Sequence, residues 1–409
     1  MKEQTNFKQF LLLIIPLILF SSCMDTPVPK EKPYLVIVSL DGFRWDYATM
    51  AETPNLDSLA KAGVKTEALV PSFPTKTFPN HYSLATGLYP DHHGIVLNGF
   101  YAPELKTDYR LRDRSKVENP KFYDGEPIWV TAEKQGVKSA SFFWVGSEAP
   151  IKNTYPSYWK SYDHDFPFDQ RIDTVIHWLK MPEEKRPQLI MLYFHEPDHI
   201  GHVYGPASDT LAKTVEYLDK LIGKLAKKLN RLPINDQINL IVLSDHGMGD
   251  ISDERVVYLE DHVDTAWFER IVGWNPNYTL DVKEDYTDMA FEALQNIPHV
   301  TAWKSGELPE RFHYGENPRT LDFVLLADSS WSLLRAGDSL REKGTHGYDN
   351  QNTDMHAIFY ASGPAFKNNY GAEAFPNVQI YSIAARILNL KPMQTDGNIE
   401  EVKEIFIAK

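Results

Sequence analysis

Apolar residues recur along the chain in short unbroken runs, with amphipathic stretches between them. Tyr34–Leu40 (YLVIVSL), Leu189–Phe194 (LIMLYF), Ile238–Leu243 (INLIVL) and Ala357–Tyr360 are runs of strand length. Continuous β-branched and aliphatic runs suit strands covered on both faces, as in a parallel sheet. Elsewhere the period changes to that of a helix. Leu211, Val215, Leu218, Ile222 and Leu225 fall near one face of Thr210–Leu229. Thr53–Ala62 reads as a second helix, with Thr53 or Asn55 as cap and Gly63 as stop. A third would start near Pro79 and run through Tyr82–Thr86 to Gly87. Alternating strands and helices predict an α/β fold, a central mostly parallel sheet flanked by helices. From about 253 to 343 the periodicity fades while Trp, Pro and charge accumulate, which predicts a smaller cap inserted into one domain of 33–409.

The N-terminal pattern is different. Phe10–Phe20 is apolar and follows Lys2 and Lys8; it is too short to cross a bilayer and suits a signal-peptide core. Leu19-Phe20-Ser21-Ser22-Cys23 resembles a lipoprotein cleavage box. Cys23 is the only cysteine, so no disulfide can form within the chain. The expectation is a signal peptide over 1–22 and a lipidated tether over 23–32, giving an exported, membrane-anchored bacterial lipoprotein, periplasmic or on the cell surface. The alternative is a plain secretory signal with an incidental cysteine.

With 409 residues and 43% hydrophobic content the chain can bury a large core. The net charge of −14 supplies no field for a polyanion, so stable nucleic-acid binding is not expected. A small-molecule substrate and a monomer are expected. A local metal pair could still attract a phosphate.

Candidate chemistry collects where strands end. Asp41 follows the first run, Asp198 with His202 follows the second, and Asp245-His246 follows the third; His346 lies in a Gly-flanked loop. In open α/β sheets the ligand crevice lies beyond the carboxyl ends of the strands. Three carboxylates and three imidazoles are enough for two dication sites. Any one of them alone is weak evidence, since a lone Asp-His pair after a strand is more often structural than metal-binding. Thr77, just before Pro79, would put a hydroxyl at a helix N-terminus, where exposed N–H groups favour a phosphoryl group. The same hydroxyl can instead cap the helix, and only metal coordination would make it a nucleophile. Lys76 reads as solvated rather than as a phosphate-steering cation. His92, His93, His195 and His199 read as structural. Trp267, Trp274, Trp303 and Trp331 could serve a ligand or only pack.

Thr75-Lys76-Thr77-Phe78-Pro79-Asn80-His81-Tyr82 and Thr86-Gly87-Leu88-Tyr89-Pro90 resemble the type I phosphodiesterase/nucleotide pyrophosphatase family of the alkaline phosphatase superfamily. So do Val38–Arg44, Glu196-Pro197-Asp198 with Gly201-His202, Ser244–Met248 and Gly344–Asn350, in the family's order. The resemblance implies an alkaline-phosphatase-like sandwich and two Zn2+ ions, one on Asp41, Thr77, Asp245 and His246, the other on Asp198, His202 and His346. It implies Thr77 as covalent nucleophile and Asn98 as a donor to a phosphate oxygen. It also implies that Phe78 and Tyr162 sandwich a nucleobase. Trp144–Glu148 resembles the family's pocket-wall segment, with Val145 in place of Pro. The expected activity is metal-dependent hydrolysis of phosphodiester or pyrophosphate bonds, of nucleotides or their derivatives, through a phosphothreonyl intermediate. A choline-type phosphodiesterase, a phosphate monoesterase and a non-catalytic binding lipoprotein are the alternatives. A sulfatase is disfavoured, because Lys76 stands where its motif needs Arg.

Overall fold

The computed structural model describes residues 32–408. The expected signal peptide, Cys23 and nearly all of the tether lie outside them. The long apolar runs become the centre of an eight-stranded sheet. Its strands are β1 (Tyr34–Leu40), β2 (Gly63–Thr66), β3 (Ser139–Phe142), β4 (Tyr158–Lys160), β5 (Leu189–Phe194), β6 (Ile238–Leu243), β7 (Phe359–Ser362) and β8 (Tyr370–Ala372). They lie in the order β8-β2-β7-β6-β1-β5-β3-β4, and β7 alone runs against its neighbours. β1 is buried along its whole length and pairs in parallel with β5 and β6. That explains its unbroken apolar run, since both of its faces are covered.

One expectation shifts here. The strand expected over Ala357–Tyr360 spans Phe359–Ser362, and Ala357 makes isolated bridges to Arg44 and Leu69 instead.

Helices pack on both faces. α1 (Pro54–Lys61) and α5 (Asp209–Leu229) lie on one side with α3 (Phe168–Leu179), and α2 (Thr77–Thr86) and α6 (Gln379–Ile387) lie on the other. A short α4 (Asp198–Tyr204) follows β5. Neither expected cap residue closes α1. The buried carboxylate of Asp219 in α5 accepts the Asn55 and Leu56 amides at 3.1 and 2.8 Å, so the cap is supplied across the helix pair. Ser208 caps α5 by accepting the Leu211 amide.

Within the expected cap region lies a four-stranded antiparallel sheet with its own core. Its strands are Phe268–Trp274, Asn277–Val282, Phe323–Ala327 and Val300–Lys304, with a helix over Thr287–Gln295. Leu280, Leu294, Phe323 and Leu325 fill that core. No helix among the described residues is long and apolar enough to cross a membrane.

Candidate active site

The carboxyl ends of β1, β5 and β6 bring their following residues to one edge of the sheet. Asp41, Asp245 and His246 form one buried group, with ligand-capable atoms within 4.8 Å of one another, and Asp198, His202 and His346 form a second. The groups touch through their imidazoles, since the His246 and His346 rings stack with centroids 3.6 Å apart. Asp198 and His202 lie one turn apart on α4.

The close approach of β1 to α4 depends on Gly42. Its φ is +68°, and a Cβ there would stand 2.9 Å from the Asp198 Cα. The Gly42 amide donates to Asp245 Oδ1 at 3.2 Å, and the Asp198 amide donates to the Asp41 carbonyl at 3.0 Å. A larger residue would push the first strand end away from the second.

The donor set fits a dication at each group. Asp41 Oδ1, Asp198 Oδ1 and Asp245 Oδ2 are buried and lack hydrogen-bond partners, a costly state for carboxylate oxygens. Each faces an imidazole Nε2. His246 Nε2 lies 3.4 Å from Asp41 Oδ1 and 3.2 Å from Asp245 Oδ2. His202 and His346 place theirs 3.5 and 3.6 Å from Asp198 Oδ1. The opposite nitrogens meet backbone carbonyls at 2.8 Å: His246 that of Gly247, His202 that of Gly344, His346 that of Thr75. Such bonds hold an imidazole with its other nitrogen free to ligate.

Electrostatics point the same way. Burial, then the charges of Asp245 and Asp198, push the Asp41 carboxyl well above the usual carboxylate range. Burial acts alike on Asp245, but His246 and His81 outweigh it and hold that carboxyl low. Burial would lower His202, yet Asp198 and Glu342 raise it to about 8. Three carboxylates this close repel one another unless a cation separates them.

Thr77 is the first residue of α2, and Lys76, not Thr77, occupies the cap position. Its Oγ1 lies 3.2 Å from His246 Nε2. Asn98 Oδ1 accepts the Phe78 amide at 2.8 Å, which fixes the side-chain amide beside that helix start. Phe78 is half-buried against Tyr109. Tyr162 is 41% exposed and packs between Phe143 and Tyr193, with ring centroids 5.2 and 6.3 Å away. Phe78 and Tyr162 therefore pack against different neighbours. Trp144 is buried, and its indole N–H donates to the His81 carbonyl at 2.9 Å.

Lys76 departs from expectation. It is buried, and its Nζ donates at 2.7 Å both to the Asn275 carbonyl, at the tip of the cap hairpin, and to the His346 carbonyl. Burial draws its pKa down to about 8. Gly347, at φ +118°, leaves room for it, since a Cβ there would stand 2.4 Å from Lys76 Cε. His93 has a structural place, buried against the Ser83 hydroxyl.

Three further residues emerge only from the structure. The Tyr193 hydroxyl donates to Asp41 Oδ2 at 2.5 Å. His81 Nδ1 lies 3.0 Å from the Thr77 carbonyl and 3.1 Å from Asp245 Oδ2, and its Nε2 meets Ser39 Oγ at 2.9 Å. Glu342 stands 3.3 Å from His202 Nδ1. A phenol inside the apolar run LIMLYF demands a partner, and His81 sits four residues beyond Thr77 on one helix face; those signals were present. Glu342 lies in irregular chain and carries none.

A cavity of about 1030 Å3 adjoins the second group, with Lys76, Asn98, Arg112, His202, Trp274 and His346 among the residues on its wall.

Residues 35–349 match the family described as Type I phosphodiesterase / nucleotide pyrophosphatase. The chain is 37% identical over 388 residues to venom phosphodiesterase CdcPDE of Crotalus durissus collilineatus, covering 92% of this chain and 47% of that protein. It is 36% identical over 385 residues to human ectonucleotide pyrophosphatase/phosphodiesterase family member 1, covering 91% and 41%. The chain thus spans about half the length of the curated relatives it matches. Among solved structures, murine ectonucleotide pyrophosphatase/phosphodiesterase 5 superposes with a TM-score of 0.87 at 35% identity, over 91% of this chain and all of that one. An inactive threonine-to-alanine variant of the murine protein, in complex with AMP, superposes with a TM-score of 0.88 at 35% identity, over 92% and 100%.

Proposed function

Because the chain belongs to the type I phosphodiesterase/nucleotide pyrophosphatase family and has the α/β fold of its solved relatives, we propose that it hydrolyses phosphodiester or pyrophosphate bonds of nucleotides with Thr77 as nucleophile. The observation that carries this reading is the position of the Thr77 hydroxyl. It stands at a helix N-terminus, 3.2 Å from His246 Nε2, beside two groups of unpaired buried carboxylate oxygens.

Asp41, Thr77, Asp245 and His246 would hold one zinc ion and Asp198, His202 and His346 the other, a nitrogen-and-oxygen set suited to that metal. Such ions would acidify the Thr77 hydroxyl and neutralise charge on the departing oxygen. The chain supplies the remainder. Thr77 Oγ bonds to phosphorus while the bond to the departing oxygen breaks with its electron pair. The α2 N-terminus and the Asn98 amide donate to the non-bridging oxygens, where charge is greatest. Water then attacks phosphorus from the vacated side and gives up a proton, the P–Oγ bond breaks, Thr77 Oγ regains the proton it lost on attack, and a nucleoside monophosphate leaves. The murine neighbour supports the nucleotide assignment, since a variant of it is in complex with AMP. Phe78 and Tyr162 would flank the base from separate supports.

The test is a substrate panel on the zinc-loaded protein: p-nitrophenyl esters of thymidine monophosphate, phosphate, phosphorylcholine and sulfate. The nucleotide diester is expected to give the highest kcat/KM, and Thr77→Ala to abolish its turnover. Dominant hydrolysis of the phosphate monoester, or full activity of Thr77→Ala, would overturn the assignment.

A further inference from the structure

The edge of the main sheet opposite the candidate active site gathers charge of the sign the protein lacks overall. Tyr34 pairs with Ile238, Leu35 with Leu189 and Leu189 with Ser139, so β6, β1, β5 and β3 begin on one line, about 15 Å across. Helices α3 and α5 run back to this edge and end at Lys180 and Lys227; the loops after them carry Lys185 and Arg231, and Lys138 precedes β3. Four of these five are exposed, Lys138 is half-buried, and none has an ion-pair partner among the described residues. A lysine at a helix C-terminus answers to the helix dipole, but Lys138, Lys185 and Arg231 lie outside helices.

Carboxylates at the same edge are mostly spent. Glu133 accepts the Ser139 and Ser157 amides at 2.7 and 2.8 Å, and Glu183 pairs with Lys32 at 2.6 Å. Glu184 and Asp236 remain, both exposed.

Aromatic rings flank the charge. Tyr155 and Trp159 stack with centroids 5.4 Å apart and are 42% and 37% exposed. They stand at β4, the edge strand, and the Tyr158 hydroxyl ties that strand to the basic edge by donating to the Lys185 carbonyl at 2.9 Å.

We propose that this edge is a membrane-facing surface that seats the domain on anionic lipid headgroups. Charge is the first argument for that partner. With −14 overall, an anionic surface repels the molecule as a whole, so the side turned towards it is set by where positive charge gathers. Exposed Trp and Tyr rings are the second, since they suit a headgroup layer that is apolar on one side and wet on the other. The third is the path of the chain. The described residues begin at this edge with Lys32, and Cys23, the expected site of lipid attachment, is nine residues earlier in the sequence. Seated so, the carboxyl ends of β1, β5 and β6 lie about 20 Å further out and face bulk water, where a dissolved substrate reaches them.

The test is flotation of the full chain with vesicles of phosphatidylcholine alone and of phosphatidylcholine mixed with phosphatidylglycerol. Comparing variants with wild type cancels whatever residues 1–31 contribute. In the Lys138→Gln/Lys185→Gln/Lys227→Gln protein, partition onto the anionic vesicles is expected to fall about fivefold per charge removed, on the order of 100-fold in all, with neutral vesicles unaffected. Tyr155→Ala/Trp159→Ala protein is expected to bind both kinds of vesicle less. Raised salt should erase the anionic preference of the wild type. An unchanged Tm shows that each variant is folded. An anionic preference that survives the triple substitution in folded protein, or its absence from the wild type, would overturn the proposal.

Discussion

The two candidate ion sites use similar side chains in opposite surroundings. In the inner group the side chains of Asp245 and His246 are wholly inaccessible and Asp41 is 3% exposed; in the outer group Asp198 and His202 are each 19% exposed. Behind the inner group stand the Tyr193 hydroxyl on Asp41, and His81 and the Ser244 hydroxyl near Asp245. The outer group faces an open groove, and its supporting carboxylate, Glu342, is itself 39% exposed. Closed surroundings hold a ligand set rigidly, whereas an open one leaves positions for exchanging groups. On the proposed reading the contrast would divide the work: the inner group would fix the nucleophile, and the outer would receive whatever departs.

The largest test of that division is Asp245→Asn. It halves the inner carboxylate charge and disturbs the bond to the Gly42 amide. We expect kcat/KM to fall by at least about 10^3, the scale of one lost transition-state stabiliser, with one zinc ion missing by elemental analysis. Retention of both ions at wild-type rate would break the comparison.

Graded chelation comes next. With a limiting chelator, the first ion should leave from the exposed Asp198 group and take activity with it. His246→Ala protein would then keep an ion the chelator removes readily, whereas His346→Ala protein would keep one that resists. Equal release rates from the two variants would remove the distinction between closed and open sites.

A smaller effect is expected from the supporting residues, and their ranking sharpens the point. Tyr193→Phe deletes a buried bond that water cannot replace, so a loss of kcat of up to about 100-fold is expected with zinc content kept. Glu342→Gln should cost about tenfold or less in zinc affinity, because His202 Nδ1 keeps the Gly344 carbonyl at 2.8 Å. Titration against a zinc indicator measures the second, steady-state kinetics the first. A reversed order would mean that exposure does not govern how these sites are supported.

Much of this arrangement was legible from residue order. The bounds of β1, β5 and β6 coincide with the apolar runs read from the sequence because strands buried on both faces are almost wholly apolar, with only Ser39 and Asn239 interrupting them. The six ligand candidates follow directly from those strand ends and the Gly-flanked loop. β2, β3, β4 and β8 were not legible. They are three or four residues long, and GVKT or YWK shows no run and too little alternation to stand out. Within the site, Lys76 was misread for a physical reason: a lysine sequence pattern suggests solvent, and only two carbonyls arriving from distant chain, Asn275 and His346, make its burial tolerable.

That buried amine also bears on motion. Many hydrolases admit substrate through a flap whose opening sets the pace of turnover. Here the tip of the cap hairpin and the loop carrying His346 are fastened to the same ammonium, one residue before Thr77. The hairpin cannot swing away without stripping the buried Lys76 of one of its two carbonyl acceptors. An entrance tied in this way is expected to act as a fixed doorway rather than a gate, with exchange of substrate and product following diffusion through the groove rather than the rhythm of a moving arm.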